Sequence, residues 1–531
     1  FPACVTEARD EVTGAVRLAV DFDQLRQELS DESVEGPQER YRLEWPGKRR
    51  ALLLAQLPSQ DSLRPDEESS LNFNDTKHLI IKGDNLRALK LLQNSYLGRV
   101  GMIYIDPPYN TGNDFVYSDN FVSSTAEYLQ DSGQSDASTG GRLVSNTESN
   151  GRYHSNWLSM IYPRLLLARR LLARHGAIFI SIDKREVAQL RLMMDEIFGR
   201  ENFVSMLIWH KDDVNRKGSI HVKDVHEYIL CYSKEIDSLP PFLVRKTLSD
   251  SISFANPDND PRGAWFSANV SSDNYREGMT KCFEIVSPAG IRWKRKWFKE
   301  EKEIRALQED NRIFFGEDGR NVPRLKLFKA EWDENTTFVT SVLTDVGGSG
   351  TGRQELVDLK LEGSFDYPKN TILLDKLLQM SAGSDEIVLD FFAGSGTFGQ
   401  AVLSANARHG LSRRLILVQL DEDIDPGSMA IRYGFHNIFE ITRERIARTC
   451  QMLEKLNDHH PNWDQDTGFR VLSVDSPCLQ NTYQRPDEIQ QGELLATVNN
   501  IVPDRSPEDL LFQVLVDWGV DLSLPIRKEV I

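Results

Sequence analysis

Two hydrophobic periods alternate along much of this chain. Short, nearly continuous apolar runs of the kind a strand buried on both faces needs occur at Leu79-Ile80-Ile81, Gly101 to Ile105 and Gly176 to Asp183, with β-rich runs at Phe203 to Trp209 and Glu227 to Tyr232. Between them the spacing turns helical. Leu86 to Leu92 follow a Gly83-Asp84-Asn85 turn and cap, Trp157, Ile161, Leu165, Leu166, Ala168 and Leu172 share one stripe, and Val187, Leu190, Met193, Met194, Ile197 and Phe198 another. Arg164, Arg169, Arg170 and Arg174 read as the solvated side of the second helix. Strand, helix, strand, helix predicts a doubly wound, mostly parallel α/β sheet.

The alternation stops near residue 236 and returns at Pro368. From there Asn370 to Met380 reads as a helix, Ile387 to Phe392 as a strand, Ala393 to Thr397 as a glycine turn and Phe398 to Ala407 as a helix. Leu415 to Leu420 reads as a strand ending at Asp421-Glu422, and Thr442 as the cap of a charged helix reaching Leu456. Further on, Phe469 to Leu472 is β-like and Leu510 to Trp518 apolar. One sheet is therefore expected from two separate stretches of chain. The predicted units are an extension at 1–60, a first half of the sheet at 61–235, an insert at 236–345, a second half at 346–460 and a small C-terminal region at 461–531.

The insert is loop-rich in composition, with cations among aromatics in Arg292-Trp293-Lys294-Arg295-Lys296-Trp297-Phe298-Lys299, followed by Arg305, Arg312, Arg320, Arg324 and Lys326. That mixture suits base stacking together with phosphate contact, and it favours a nucleic-acid module over a solvated helix. Trp293, Lys294, Arg295 and Trp297 are its candidate contacts. The Ser/Thr/Gly/Asn-rich stretch from Ser123 to Gly151 cannot fill a core and reads as a long surface loop. Arg40 to Arg50, also basic and aromatic, either packs on the next unit or touches nucleic acid, with packing favoured.

A net charge of −17 excludes a general nucleic-acid coat but not a local basic groove. Five cysteines, far apart and without metal-ligand spacing, read as reduced thiols; neither a disulfide frame nor a metal site is expected. No apolar run approaches the ~18 residues of a membrane span, and the first thirty residues lack a signal pattern, so a cytoplasmic chain without membrane contact is expected. The chain opens on Phe1 rather than Met and closes after an apolar segment, so missing residues at one or both ends are expected.

Two strand ends carry the chemistry. The first apolar run stops at Asp106-Pro107-Pro108-Tyr109, at the carboxyl end of a strand, where open α/β sheets bind ligands. Alone, this is a strand stopped by a Pro-rich turn. The second, Asp390-Phe391-Phe392-Ala393-Gly394-Ser395-Gly396-Thr397-Phe398-Gly399, fits G-x-G-x-x-G after a strand. Glycines there let the backbone approach a ligand, and an acid on the next strand holds ribose hydroxyls, which suits NAD and S-adenosylmethionine alike. The first site separates them. A carboxylate at Asp106 and a backbone carbonyl at Pro107 accepting both N–H bonds of an exocyclic amine would localise its lone pair for attack on a sulfonium methyl. The Tyr109 ring offers a face for an extruded base, worth about 1–3 kcal/mol against an unstacking cost of similar size. On that basis Tyr109→Phe is expected to be mild. Hydride transfer by an NAD oxidoreductase needs none of this.

Asp106-Pro107-Pro108-Tyr109 ahead of Phe392-Ala393-Gly394-Ser395-Gly396 resembles the amino-methyltransferases of DNA in their β arrangement. Gly83-Asp84-Asn85-Leu86, Asp106 through Phe115, Tyr153-His154-Ser155-Asn156-Trp157, Ile180-Ser181-Ile182-Asp183, His226-Glu227-Tyr228, Arg312-Ile313-Phe314-Phe315-Gly316, Pro368-Lys369-Asn370 and Val418-Gln419-Leu420 extend the resemblance to the modification (Mod) subunit of type III restriction-modification systems, over roughly residues 35 to 525. The resemblance implies a Rossmann-like methyltransferase sheet with an inserted target-recognition domain and a small C-terminal region. It implies S-adenosylmethionine as cofactor, N6 of adenine in a specific double-stranded DNA site as target, base flipping with in-line displacement, a homodimer, and a helicase-nuclease (Res) partner. Asp106, Pro107, Pro108 and Tyr109 would be catalytic, with Asp106, Asp390, Phe392, Gly394, Gly396 and Thr397 around the cofactor. Gln419, Asp421 and Glu422 are candidates for its ribose, Asp84 and Asn85 for its adenine, and Lys369 and Asn370 close over its methionine end. Asn110 would join Tyr109 at the substrate, and Trp209 or Tyr228 would cover the base's other face, a core role being equally open to each. The family's proline is absent at position 421, which leaves the ribose ligand open. Asp-Pro-Pro-Tyr is the form associated with adenine N6. N4-cytosine methylation and a catalytically silent recognition subunit serving a nuclease stay as alternatives. Pro477-Cys478, which a C5-cytosine enzyme would need beside its base, lies outside any strand-end context.

Overall fold

The computed structural model describes residues 43–111, 153–211, 222–245, 253–332, 336–456, 459–479 and 501–529, with four short strands at 5–9, 16–20, 115–116 and 144–145. The surface loop expected from Ser123 to Gly151 lies almost wholly outside the described residues. The chain divides at Glu44 into two units. In the first, Val5–Arg9 pairs antiparallel with Val16–Val20.

The second unit, Trp45–Ile531, is organised on one ten-stranded sheet. In chain order its strands are β1 (Ser62–Leu71), β2 (Leu79–Lys82), β3 (Val100–Ile105), β4 (Leu172–Ile182), β5 (Phe203–His210), β6 (His226–Ser233), β7 (Val342–Leu343), β8 (Ile387–Asp390), β9 (Arg414–Gln419) and β10 (Phe469–Asp475). Across the sheet they lie in the order β7-β5-β6-β4-β3-β8-β9-β2-β10-β1. From β4 to β10 every pair is parallel, while β6 and β1 run against their neighbours. The central strands are largely apolar because helices cover both faces, and every residue of β3 and β8 is buried, Asp390 at the end of β8 included. Helices Lys48–Gln56, Asn85–Tyr96 and Val187–Phe198 each pack on helix Tyr153–Leu171 and form one layer with it. Helices Thr371–Ser381, Thr397–His409 and Ile438–Glu454 form the other. The main core lies under this second layer, where Leu374, Leu377, Phe398 and Ile446 meet Met102, Tyr104, Phe179 and Ile229.

β8, although late in sequence, sits beside β3. From β8 the chain continues to β9 on one side, and from β3 to β4 on the other, so their carboxyl ends flank a topological switch point. The expected doubly wound sheet, assembled from both halves of the chain, is present.

Two expectations need correcting. Thr442 does not cap a helix: Asn437 does, accepting from the Glu440 amide at 3.0 Å, and the helix runs Ile438–Glu454. Thr442 sits one turn inside, its hydroxyl donating to the Gly394 carbonyl. Nor is the insert loop-rich. It holds a three-stranded sheet of Trp265–Asn269, Ile313–Phe314 and Arg324–Phe328, and another of Ser271–Ser272, Cys282–Val286 and Arg292–Trp297. Helix Glu301–Glu309, with a Glu300/Glu303 capping box, packs with them. Val270, Ile285, Trp297, Ile304, Ile313 and Phe315 make a separate small core. An antiparallel pair, Leu243–Arg245 with Thr336–Phe338, brackets these elements. β7, inside the range expected of the insert, belongs to the large sheet.

Candidate active site at the switch point

Asp106 emerges where two prolines, which cannot donate to a ladder, end β3. Lys369, just ahead of helix Thr371–Ser381, brings its Nζ to 2.7 Å from Asp106 Oδ2 and donates to the Tyr109 hydroxyl at 2.9 Å. The Tyr109 oxygen also lies 2.8 Å from Asp106 Oδ1 and 3.0 Å from Glu227 Oε2. With one proton, it donates to one carboxylate at a time. Glu227 on β6 is 3.4 Å from Lys369 Nζ and takes Lys211 Nζ on its other oxygen at 2.8 Å. Two carboxylates and two ammonium groups thus share one half-buried cluster, with Glu227 its most enclosed member.

Their protonation follows from that geometry. Burial raises Asp106 above the ordinary carboxylate range; Lys369 opposes this and Glu227 adds to it. Burial acts on Glu227 in the same direction, but Lys369 and Lys211 outweigh it and hold the acid below its usual value. Burial disfavours the Lys369 ammonium, yet Asp106 and Glu227 outweigh that and raise its pKa. Burial, with both acids near, pushes the Tyr109 phenol well up.

The supports behind Tyr109 are uncharged or remote. Trp157 Nε1 donates to the Pro108 carbonyl at 2.7 Å, whereas no hydrogen bond among the described residues engages the Pro107 carbonyl. Asn110, at φ 59° and fully buried, donates to Glu186 Oε1 at 2.5 Å, an oxygen that His154 Nδ1 also reaches at 2.7 Å. It therefore sits as a strut behind the Tyr109 turn. Trp209 is in register with Glu227 on the same face of the sheet, buried, its Nε1 donating to the Gly347 carbonyl at 2.9 Å. Lys369 Nζ lies 5.1 Å from the Tyr109 ring centroid and 5.9 Å from that of Trp209. Tyr228, next along β6, points to the opposite face and meets His226 edge-on. It does not share the site with Tyr109.

Across the switch point the backbone carries the geometry. Gly394 and Gly396 adopt φ 53° and 81°, in the left-handed region open to glycine. At Gly396 a Cβ would also meet the Thr442 carbonyl oxygen at 3.2 Å. Gly399 has another cause: a Cβ there would collide with Ile446 Cδ1 at 2.5 Å, so it allows the helix Thr397–His409 to pack closely. Gln419 donates to the Leu420 carbonyl and accepts the Gly394 amide at 2.8 Å, bracing the turn. Asp390 accepts the Phe392 amide at 2.9 Å, and burial holds its carboxyl well above the ordinary range. Thr397 and Ser395 hydroxyls meet Arg445, fully buried beneath them, at 2.7 and 2.9 Å. Phe392 is buried beside Phe391.

The other cofactor candidates divide by what they touch. Asn85 is buried, donating to the Phe391 carbonyl at 2.8 Å and accepting from Arg164; Asp84 caps helix Asn85–Tyr96 and pairs with Arg164 at 3.2 Å. Arg164 itself, expected on a solvated face, is fully buried between them. Asn370 caps helix Thr371–Ser381 through the Leu373 amide. Asp421 is exposed and paired with Lys82 at 3.3 Å. Glu422 is half-buried, and burial together with Asp423 raises its pKa.

In the insert the strand Arg292–Trp297 alternates. Arg292, Lys294 and Lys296 face solvent. Trp297 is fully buried, stacked on Phe283 with its Nε1 on the Phe283 carbonyl, and Trp293 packs against the same core. Arg295 bonds Ser271 and Asp273. Trp297 is thus a core residue rather than a surface contact, because its alternate position falls on the covered face; of the four candidates Lys294 is the one exposed to solvent.

Glu227 and Lys211 carry no motif that marks them as site residues in the sequence. The available signal was an acid inside the otherwise apolar run His226–Ser233. The four described cysteines are free, no cluster of potential metal ligands occurs among the described residues, and no described helix is long and apolar enough to cross a membrane.

A carboxylate acceptor and an aromatic ring at one strand end, with a glycine turn at the next, suit transfer of a group from a cradled donor to an amine. The family model described as DNA methylase matches residues 100–425, from β3 through β9. The type III restriction-modification enzyme StyLTI Mod subunit of Salmonella typhimurium is 35% identical over 491 residues, covering 90% of this chain and 73% of that protein. The EcoP15I Mod subunit of Escherichia coli is 33% identical over 494 residues, covering 85% and 74%. The type II methyltransferase M.KpnI of Klebsiella pneumoniae is 26% identical over 412 residues, covering 72% and 90%. A match of this extent to the family, and of this identity to the Mod subunits, establishes that the chain belongs to the DNA methylases, among the Mod subunits of type III restriction-modification systems.

Proposed function

We propose that this chain transfers a methyl group from S-adenosylmethionine to N6 of adenine at a specific site in duplex DNA, as the modification subunit of a type III system. The observation that carries the reading is the meeting of Asp106 and Tyr109 at the end of β3 with the Gly394–Gly396 turn at the end of β8, across the switch point. The donor fits the residues present: the turn leaves an open approach at Gly394, where only Phe365 comes within 3.5 Å of an added Cβ. Phe392, Gly394, Gly396 and Thr397 would hold its methionine end. Of the three ribose candidates, Gln419 is engaged with the turn and Asp421 with Lys82, which leaves the half-buried Glu422 as the favoured ligand.

Bound there, S-adenosylmethionine supplies an electrophilic methyl. The chain supplies the rest. Asp106 and the Pro107 carbonyl accept hydrogen bonds from the two amine N–H groups and keep the lone pair on nitrogen; Tyr109, and Trp209 opposite, flank the flipped base. Lys294 and its solvent-facing neighbours Arg292 and Lys296 serve as phosphate contacts. The homodimer and the helicase-nuclease partner follow from the type III kinship of the relatives.

Long-read sequencing of DNA from cells expressing the protein, with nucleoside analysis of the same DNA, tests the reading. N6-methyladenine in one recurring sequence is expected. N4-methylcytosine would overturn the target base, and unmodified DNA together with tight DNA binding would make the chain a silent recognition subunit.

A further inference from the structure

The acceptor at the heart of the proposed reaction is already in use. One oxygen of Asp106 receives Lys369 Nζ at 2.7 Å, and the other lies 2.8 Å from the Tyr109 hydroxyl, whose single proton is shared between Asp106 and Glu227. Lys369 is the unusual one. Its ammonium lies within cation–π range of both Tyr109 and Trp209, the two rings proposed to flank the target base. A nitrogen carrying N–H donors, aimed at Asp106 and set near those rings, reproduces what the exocyclic amine of the target must do on arrival.

An ammonium left in that place opposes the reaction twice. It weakens Asp106 as an acceptor, and it stands beside a nitrogen that becomes positive as the methyl is gained. Lys369 also has somewhere to go. Glu227 Oε2 is 3.4 Å away, so closing to the ordinary length of a charge-assisted bond takes a shift of about half an ångström. Lys211 on the far oxygen, at 2.8 Å, holds the Glu227 carboxylate in position.

We propose that Lys369 is a resident stand-in for the target amine, and that Glu227 is the positioning residue that receives it, so that Asp106 is handed over when the base enters. Before a base arrives the cluster is thereby kept charge-balanced, and the cation stays close enough to return after release. Glu227 touches neither base nor cofactor in this scheme; it acts through Lys369 and Tyr109. The inference rests on the methyl-transfer reading above.

The test is epistasis between two positions in the full chain. Labelled methyl transfer from S-adenosylmethionine is measured on plasmid DNA propagated without the enzyme, at alkaline pH, alongside cofactor affinity. Glu227→Gln is expected to lower kcat at least tenfold with cofactor Kd within twofold of wild type, because Lys369 then stays on Asp106. In a Lys369→Met background, whatever rate that change itself leaves, adding Glu227→Gln should cost less than twofold. Glu227→Asp, which keeps the charge but shortens the reach, should fall between wild type and Glu227→Gln and keep the fold intact. The acid limb of the rate profile gives a second readout. The groups facing Asp106 are Lys369, Glu227, Tyr109, Tyr104 and Asp390. Removing the Lys369 cation raises the pH at which Asp106 protonates and moves the limb up; removing the Glu227 anion moves it down. Equal losses from Glu227→Gln with and without Lys369, or a Glu227→Gln enzyme with the kcat of wild type, overturn the handover. A wild-type enzyme that methylates no DNA instead overturns the functional reading itself.

Discussion

The two strand ends that meet at the switch point are built on opposite principles. After β3 the geometry is held by side chains: Asp106, Tyr109, Glu227 and Lys369 position one another by charge and hydrogen bond, from segments far apart in sequence. After β8 it is held by backbone: two left-handed glycines, with Gln419 on the Gly394 amide and Thr442 on its carbonyl. On the proposed reading, the side that receives the incoming base uses groups that can change partners. A site that must cradle one invariant donor uses a chain path that cannot relax.

That contrast can be broken or sharpened by substitution. The largest effect is expected at Asp106→Ala, which removes the proposed acceptor: methyl transfer should fall about a hundred- to a thousandfold, the size of losing one preorganised electrostatic group. DNA and cofactor binding, measured directly, should survive; loss of cofactor binding would mean that the two sides are not separable. Tyr109 comes next. The sequence suggested that Tyr109→Phe would be mild, but the hydroxyl is bonded to two acids and to Lys369, and bonds to charged groups contribute about 1.5–3 kcal/mol. The rate should therefore drop roughly tenfold or more, with Tyr109→Ala lower still because the ring is lost as well.

On the backbone side, Gly396→Ala places a Cβ at φ 81° and 3.2 Å from the Thr442 oxygen. It should destabilise the turn by about 1–2 kcal/mol and appear as weakened cofactor affinity in calorimetry, with kcat at saturation little changed. A kcat loss without an affinity loss would erase the distinction between the two sides. The smallest effect is expected at Asp421→Asn: an exposed pair with Lys82 is worth about 0–1 kcal/mol, so cofactor Kd should hardly move, while Glu422→Gln should weaken it clearly.

What the sequence disclosed divides along the same line. The doubly wound sheet, Asp106 to Tyr109 and the glycine turn were legible because each is encoded by neighbours in the chain: an apolar run, a breaker, glycines at fixed offsets. Glu227 and Lys211 were not, because their meaning depends on β6 lying beside β4 and on Lys369 arriving from the far side of the insert. Arg164 shows the same limit. Its helical position looks solvated, yet it is buried by its bonds to Asn85 and Asp84. In the insert, cations among aromatics suggested one contact surface, but strand alternation separates Lys294 from Trp297. The period of two was there to be read in Arg292 to Trp297.

The strand order has a consequence for how the molecule is made. β3 cannot gain its partner β8 until the ribosome has passed residue 390, nearly three hundred residues after β3 itself. At roughly 5–20 residues per second that interval is on the order of tens of seconds. For that time a fully apolar strand leading into Asp106 waits with one unpaired edge, and β2 with both, because its neighbours β9 and β10 come later still. Shielding those edges until the late strands arrive is a task for the nascent chain's own early helices or for the chaperones that meet it.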